Sequence, residues 1–554
     1  MTLTPAIPTR SAAATNLIWE AYETARDDRP LLYCWDESSY RSHDWDGWRS
    51  AAERSAVGLR RLGVHEGARV AAVLTNRFEV CSAVVGTWLA GGTLLSLPLL
   101  RRGQDAEDYV AQLRRLCRDA QPEVLLLEGR FIELLGGADL GVPVASFESL
   151  AVDGTLDPTP PPDDATAFVQ YSSGSMSEPK GCELTLAAIG AQERMLIERL
   201  DVDDKSRGVT WLPLSHDMGL FGCVMVSWCT GLCLAVGTPE RFLRKPHTWM
   251  EDCIEFEATN TVSPNFGLSL AAQRARTKPP SGSFPLRSLV LGAERIEWTT
   301  LNEAVEVLGP HGVTMESITP AYGLAEATLA VTMKPPDEAP NTVRVDAEAA
   351  YRGELILHDR DGEGTLPMVA CGPPMDGVSV RTRGDRSIGR ICIRSEALAR
   401  GYMNQPETTR ECFRHGEFVS EDVGFVHDGE LYVLGRTDDA IPVGGRNVFA
   451  RDIELALGDC GARRGCATLV DIPDDDHLRL VLVAEPSPET DDFVALADAM
   501  NNATFDRAGV RADECVLLRP GTLPKTPSGK IQRFRCRALL SGDGADAVLE
   551  RVPL

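Results

Sequence analysis

Short, wholly apolar runs alternate with longer stretches of helical period through the first part of this chain, and that alternation predicts strands and helices in turn. Residues 70–74 predict a strand, 80–89 a helix, Gly91-Gly92 a break and 94–100 a second strand, which together make a βαβ unit. Further strands are expected at 124–127, 208–212, 232–236 and 286–291, with helices at 187–199, 249–257 and 299–308. From 369 to 443 the apolar runs shorten (378–380, 389–393, 430–434) and Gly and Asp separate them, as in a small antiparallel sheet or barrel. The last hundred or so residues carry strands of their own at 467–470 and 480–484 and a helix near 493–500. The expected fold is α/β: a large N-terminal lobe of mostly parallel sheets with helices, a small antiparallel barrel-like subdomain, and a smaller α+β C-terminal lobe.

Composition narrows the function classes. At 554 residues, with 43% hydrophobic and 25% charged residues, the chain is globular and too long for one ordinary core. Its net charge of −25 opposes nucleic acid and anionic membrane, both of which attract clustered Lys and Arg. Met1 to Asn16 lack the basic-then-apolar order of a secretory signal, and no apolar run has bilayer length, so a cytoplasmic location is expected. Fifteen cysteines, an odd number set among apolar neighbours, fit small buried thiols in a reducing compartment. Cys229 and Cys233 have no second CxxC and no nearby His pair, which favours core packing over zinc.

The strand-like stretch 167–169 runs into Tyr171-Ser-Ser-Gly-Ser-Met-Ser-Glu-Pro-Lys-Gly181. Small residues there expose backbone N–H groups to an anion, Ser172, Ser173 and Ser175 add donors beside Gly174, and Lys180 supplies a cation. A Walker A loop is excluded, because Lys180 stands between Pro179 and Gly181 without the Gly before it and Ser or Thr after it. A bare Gly/Ser surface turn has the same composition, so the other motifs decide. The Pro-rich 157–162 stretch is too stiff for helix or strand and delivers the chain to this loop.

Four further segments follow in order. They are Pro320-Ala-Tyr-Gly-Leu-Ala-Glu-Ala-Thr328, Val419-Ser-Glu-Asp-Val-Gly424 with its acid expected in a tight turn, Gly435-Arg-Thr-Asp-Asp-Ala-Ile441 with Gly444-Gly-Arg-Asn447, and Leu523-Pro-Lys-Thr-Pro-Ser-Gly-Lys-Ile-Gln-Arg533. In order and spacing these resemble the core motifs of the adenylate-forming superfamily of acyl-CoA synthetases, luciferase-like enzymes and peptide-synthetase adenylation domains. Trp211-Leu-Pro-Leu-Ser-His-Asp-Met-Gly-Leu220, Gly292-Ala-Glu294, Ala321-Tyr-Gly-Leu-Ala-Glu-Ala-Thr-Leu329 and the long connection from Val331 to Cys371-Gly372 are most similar to the fatty-acyl-AMP ligases. The resemblance implies lobes at 1–436 and 441–554 joined by a hinge at 437–440, with Asp438 as its pivot. It also implies ATP and Mg²⁺, a carboxylic acid as substrate, and a carrier-protein phosphopantetheine or coenzyme A as acceptor, with an acyl carrier protein as partner and free coenzyme A usually a poor acceptor.

Attack of a carboxylate on the α-phosphate of ATP brings two anions together, so cations and donors must gather where charge accumulates. Lys530, in Pro527-Ser-Gly-Lys530, matches the family lysine that contacts both groups, while Lys525 is expected to be solvated. By resemblance Glu326 holds Mg²⁺, Tyr322 beside Gly323 stacks on adenine, Asp422 accepts from the ribose hydroxyls and Arg436 faces ribose and phosphate. The stretch Gly292, Ala293 and Glu294 belongs to the nucleotide site on the same basis. Ser215-His216-Asp217 invites a hydrolase triad, but three consecutive residues cannot converge as a relay and no GxSxG occurs. His216 is read as a wall between acyl and phosphate sites, with simple packing as the alternative; Met218, Asn265 and Phe266 fall at acyl-pocket positions or in the core. Met176 and Ser177 replace a hydroxyl and a Gly of the general loop, which keeps alive a nonadenylating relative that binds preformed acyl-AMP. A complete acyl-CoA ligase is the other alternative.

Overall fold

The computed structural model describes residues 16–554 apart from 101–104, 159–160, 172–179, 361, 363, 385–386, 444–445, 474–477, 526–530 and 542–543. The expectations for Ser172, Ser173, Gly174, Ser175, Met176, Ser177 and Lys530 therefore lie outside the described residues.

Two sheets build the large lobe. In one, Val144–Ser146, Val124–Leu127, Arg69–Ala72, Thr93–Ser96 and Thr166–Tyr171 lie parallel in that order, and Gly181–Thr185 pairs antiparallel at the edge. The other runs Ala330–Met333, Ile318–Gly323, Ser288–Gly292, Asn260–Pro264, Arg207–Thr210, Cys233–Val236, Pro30–Asp36, Ser39–Asp44, with antiparallel pairing only at its two edges. Val124–Leu127 is buried along its whole length because helices cover both faces, which is why such strands read as unbroken apolar runs. Polar start signals set the helices between them. Thr185 accepts the Ala188 N–H at the head of Leu186–Leu200, and Asp44 accepts the Gly47 N–H at the head of Trp45–Arg61.

The antiparallel subdomain orders Ser379–Arg383, Gly389–Arg394, Glu417–His427 and Phe413–Arg414, with Glu430–Arg436 also paired to Glu417–His427. Asp422 lies inside Glu417–His427 and not in the expected tight turn. Its strand pairs with Glu430–Arg436 and shifts register after Val423, which sets Asp422 directly across from Arg436.

The C-terminal part holds the hairpin Ala440–Val443/Arg446–Phe449, the helix Ala450–Ala456 and a four-stranded sheet of Ala462–Pro473, Leu478–Pro486, Glu514–Leu518 and Val548–Pro553. The long connection folds too, as a three-stranded antiparallel sheet of Leu357–His358, Thr342–Asp346 and Thr365–Val369 with the short helix Ala347–Tyr351. Its Val345, Tyr351, Leu366 and Met368 enter one hydrophobic core with Val448, Phe449, Ile453 and Leu457 of the C-terminal part. Among the described residues no helix is long and apolar enough to cross a membrane. None of the fifteen cysteines is in a disulfide.

Candidate functional site

Chain reversals after parallel strands collect the candidate residues. Thr166–Tyr171 leads to Lys180, Arg207–Thr210 to His216 and Met218, Asn260–Pro264 to Asn265 and Phe266, and Ser288–Gly292 to Ala293 and Glu294. Ile318–Gly323 carries Tyr322 and leads to Glu326. In parallel sheets the carboxyl ends of the strands are where ligands bind, since the loops there are free of the β-ladder. The two sheets are tied together at this end. Gln170 Nε2 donates to the Ser215 carbonyl at 3.0 Å, and Asn76 Nδ2 donates to the Leu212 and Gly237 carbonyls at 2.8 Å each.

Lys180 and Glu326 meet through a residue that the motifs did not single out. The Tyr402 hydroxyl donates to Glu326 Oε1 at 2.7 Å, and Lys180 Nζ lies 5.2 Å from the centre of the Tyr402 ring. Backbone pairing fixes this contact, because the Met403 N–H donates to the Gly181 carbonyl and the Glu183 N–H to the Gly401 carbonyl. Burial pushes the Glu326 carboxyl above its ordinary range, against the opposing pull of the Tyr402 hydroxyl and the Arg436 charge. A divalent cation would relieve that penalty, so Glu326 is a carboxylate that would suit Mg²⁺, which would supply charge neutralisation beside it.

A second group faces it from the antiparallel subdomain. The buried Tyr322 hydroxyl donates to Asp422 Oδ2 at 2.6 Å, and Arg436 Nη1 lies 3.6 Å from Asp422 Oδ1. Arg436 also grips Asp438 with two bonds, Nε to Oδ1 at 2.8 Å and Nη2 to Oδ2 at 3.0 Å. Burial opposes the Arg436 charge, but Asp438 and Asp422 outweigh it and hold the guanidinium protonated above its ordinary range. Asp422, Arg436 and the expected pivot Asp438 are thus one charged unit.

His216 turns onto its own neighbours. Its Nδ1 lies 2.6 Å from Asp217 Oδ1, which also accepts the Met218 N–H at 2.7 Å. Met218 then reaches the end of Ser288–Gly292, since a Cβ on Gly292 would lie 3.8 Å from its Sδ. Ala293 follows with φ of 66°, a left-handed conformation unusual for a residue with a Cβ and a mark of a loop held by its surroundings. The side chain beyond it is one of those restraints, because Glu294 Oε1 accepts the Phe266 N–H at 2.6 Å. Buried Asn265 accepts the Glu297 N–H at 3.1 Å and donates to Thr300 Oγ1 at 3.2 Å. Phe266 is half-buried, edge-on to Trp211 with ring centres 6.1 Å apart.

Lys525 departs from expectation. Its Nζ lies 3.1 Å from Cys466 Sγ in a partly buried position, so it is a packed group and not a solvated one.

A family model described as AMP-binding enzyme matches residues 19–403, well over half of the chain. The chain belongs to the AMP-binding enzyme family. This AMP-binding enzyme is 27% identical to the long-chain-fatty-acid–AMP ligase FadD32 of Mycolicibacterium smegmatis, over 93% of the chain and 90% of that protein. It is 31% identical to the medium-chain-fatty-acid–[acyl-carrier-protein] ligase JamA of Moorena producens, over 68% of the chain and 67% of that protein. A solved structure from a study of fatty acyl-adenylate ligases of E. coli and L. pneumophila superposes with a TM-score of 0.86, at 24% identity, over 96% of this chain and 98% of that one. Within its family the AMP-binding enzyme is most like the fatty-acyl-AMP ligases, and it is an enzyme of the acyl-AMP ligase and acyl-CoA synthetase type.

Proposed function

We propose that the chain activates a fatty or fatty-like carboxylic acid with Mg·ATP and passes the acyl group to the phosphopantetheine thiol of a carrier protein. In the first half-reaction the acid's carboxylate oxygen bonds to the α-phosphorus and pyrophosphate leaves; in the second the thiol attacks the acyl carbonyl and AMP leaves. Mg²⁺ supplies charge neutralisation at the phosphates. Lys180 and the 172–175 segment cradle those phosphates, and Glu326 is the carboxylate that holds the ion. Tyr322 stacks on adenine, Asp422 accepts from the ribose and Arg436 faces ribose and phosphate. His216 separates this region from an acyl site at Met218, Asn265 and Phe266. The observation that carries the reading is that Lys180 and Glu326 meet at Tyr402, that Tyr322, Asp422 and Arg436 form a second cluster, and that the Arg436 charge acts on Glu326. Mass spectrometry of nucleotide-linked products, after incubation with ATP and a mixed acid library, tests it. An acyl-AMP is expected, and no such product with any acid would reject the reading.

Glu326→Gln keeps the shape and removes the charge. Adenylation is expected to fall about tenfold or more and to recover in part at raised Mg²⁺. A Mg²⁺ titration of pyrophosphate release checks this, and an unchanged Mg²⁺ requirement rejects Glu326 as the ion's anchor.

For the acceptor, the connection 342–369 is the supporting feature. Arg446 pairs with Glu348, and the Tyr351 hydroxyl donates to Asp452 Oδ2 at 3.2 Å, so the connection is bonded to the C-terminal part as well as sharing its core. A part held in this way turns less freely to present a diffusible thiol, and acyl-AMP is expected to accumulate in the presence of free coenzyme A. Glu348→Ala, which removes the pair with Arg446 while leaving the core filled, is expected to raise coenzyme A turnover. Acyl-CoA formed by the unmodified chain as fast as acyl-AMP would replace this reading with that of a complete acyl-CoA ligase. The Arg463-Arg464 pair is a local basic patch that an acidic carrier could dock on, with side chains 49% and 61% exposed. Arg463 is bonded to buried Glu485 at 2.9 Å, and Arg464 lies 3.8 Å from Glu303.

A further inference from the structure

The segment 397–403 splints two parts of the candidate site, and the side chain of Tyr402 reaches both. On one side its backbone pairs with the strand Gly181–Thr185: the Met403 N–H donates to the Gly181 carbonyl at 2.8 Å, and the Arg400 N–H to the Glu183 carbonyl and the Glu183 N–H to the Gly401 carbonyl at 2.9 Å each. On the other side it holds the turn that carries Glu326. The Ala399 N–H donates to the Glu326 carbonyl at 2.8 Å, and Thr328 Oγ1 donates to the Ala397 carbonyl at 2.7 Å. The Tyr402 N–H donates to Thr409 Oγ1 at 2.9 Å, and its ring stands edge-on to Phe413 with centres 5.7 Å apart. Tyr402 is 5% exposed, so both its backbone and its ring are fixed by packing.

Two opposite charges meet on this one side chain. Lys180 Nζ stands over the ring, 5.2 Å from its centre, while the hydroxyl donates to Glu326 Oε1 at 2.7 Å. Among the described residues Lys180 makes no ion pair with a carboxylate. An aromatic ring draws a cation to its electron-rich face and a phenol hydroxyl gives its proton to an anion, so a single Tyr serves both groups at once. Without it, an ammonium and a half-buried carboxylate on neighbouring segments attract each other directly. Such a pair would neutralise both partners, and neither would then be open to a phosphate or to its cation.

We propose that Tyr402 is a positioning residue for adenylation, a spacer that holds the Lys180 ammonium on its ring face and the Glu326 carboxylate on its hydroxyl, so that the two do not pair and both stay open to the nucleotide. The proposal rests on the adenylation reading above. Tyr402→Phe keeps the ring and removes the hydroxyl; Tyr402→Leu removes both holds. With an acid returned by the library screen, Tyr402→Phe is expected to raise the Mg²⁺ concentration for half-maximal pyrophosphate release about tenfold, the loss of one hydrogen bond to a charged group. Its calorimetric affinity for ATP in EDTA is expected to stay within about twofold, because the ring still holds Lys180. Tyr402→Leu is expected to raise the same Mg²⁺ requirement and also to weaken ATP binding in EDTA about fivefold or more, because Lys180 then pairs with Glu326. Adding Glu326→Gln to Tyr402→Leu is expected to bring that affinity back to within about twofold of Glu326→Gln alone. A side chain that only filled space would give no such recovery. Melting temperatures serve as the folding control, and if Tyr402→Leu does not fold, the Mg²⁺ shift of Tyr402→Phe decides alone. An unchanged Mg²⁺ requirement in Tyr402→Phe, or a folded Tyr402→Leu chain whose ATP affinity is unchanged or is not recovered with Glu326→Gln, would overturn the spacer. An unmodified chain that binds ATP yet makes no acyl-AMP would reject adenylation while the binding series in EDTA still decides the spacer; one that binds no ATP would reject both.

Discussion

Lys530→Ala is expected to lower acyl-AMP formation by about a hundredfold or more, because the resemblance makes Lys530 a charge-assisted donor to the transition state. The chemistry sets the size of this effect. Carboxylate and α-phosphate are both anions, and the repulsion between them peaks as the new bond forms, so a cation reaching both is worth more in the transition state than in the ground state. Thiol transfer from supplied acyl-AMP has no such anion pair and is expected to change far less. Pyrophosphate release and acyl-AMP consumption, measured separately on the same preparation, decide the matter. Equal losses in both would remove Lys530 from its role.

Gly323→Ala is expected to damage the molecule through a single methyl group. A Cβ on Gly323 would lie 1.9 Å from the carbonyl oxygen of Leu329 and 2.7 Å from its carbonyl carbon. Both are backbone atoms, so no side chain can swing aside. The Leu324 N–H donates to that same Leu329 carbonyl at 2.8 Å, and Gly323 pairs with Ala330 across the sheet edge. Relief must therefore come from moving 324–329, which carries Glu326. Overpacking of this kind costs about 1–3 kcal/mol and occasionally more. A shift of about 1 Å in Glu326 can cost about a hundredfold in rate. Thermal melting together with pyrophosphate release tests this, and a variant that keeps both its melting temperature and its rate contradicts the clash.

Much of the large lobe was legible because of how it is covered. Strands such as Val124–Leu127 are buried on both faces and leave unbroken apolar runs, and helices such as Leu186–Leu200 start at polar caps. Pro30–Asp36 and Ser39–Asp44 were not read; the second is a mostly polar edge strand without a buried residue, so it carries no apolar run or alternation to find. At the site, the motifs named candidate residues but not their partners in another motif. Tyr402 is 76 residues from Glu326, Arg451 is 154 from Glu297 and Arg295 is 157 from Asp452. Contacts at such separations arise from sheet order and lobe packing, to which local pattern is blind. Asp422 was misjudged for a related reason. A Gly two residues on suggests a turn, but Gly424 sits in a strand where a Cβ would lie 2.3 Å from the Tyr432 carbonyl oxygen.

The core shared by the connection and the C-terminal part bears on where this chain can be divided. A fragment beginning after residue 440 would carry Val448, Phe449, Ile453 and Leu457 but leave behind Tyr351, Leu366 and Met368, which fill the same core. Chimeras that exchange the C-terminal part with that of a relative must move 342–369 with it, although about seventy residues of sequence separate the two; the unit of exchange follows the packing and is discontinuous along the chain.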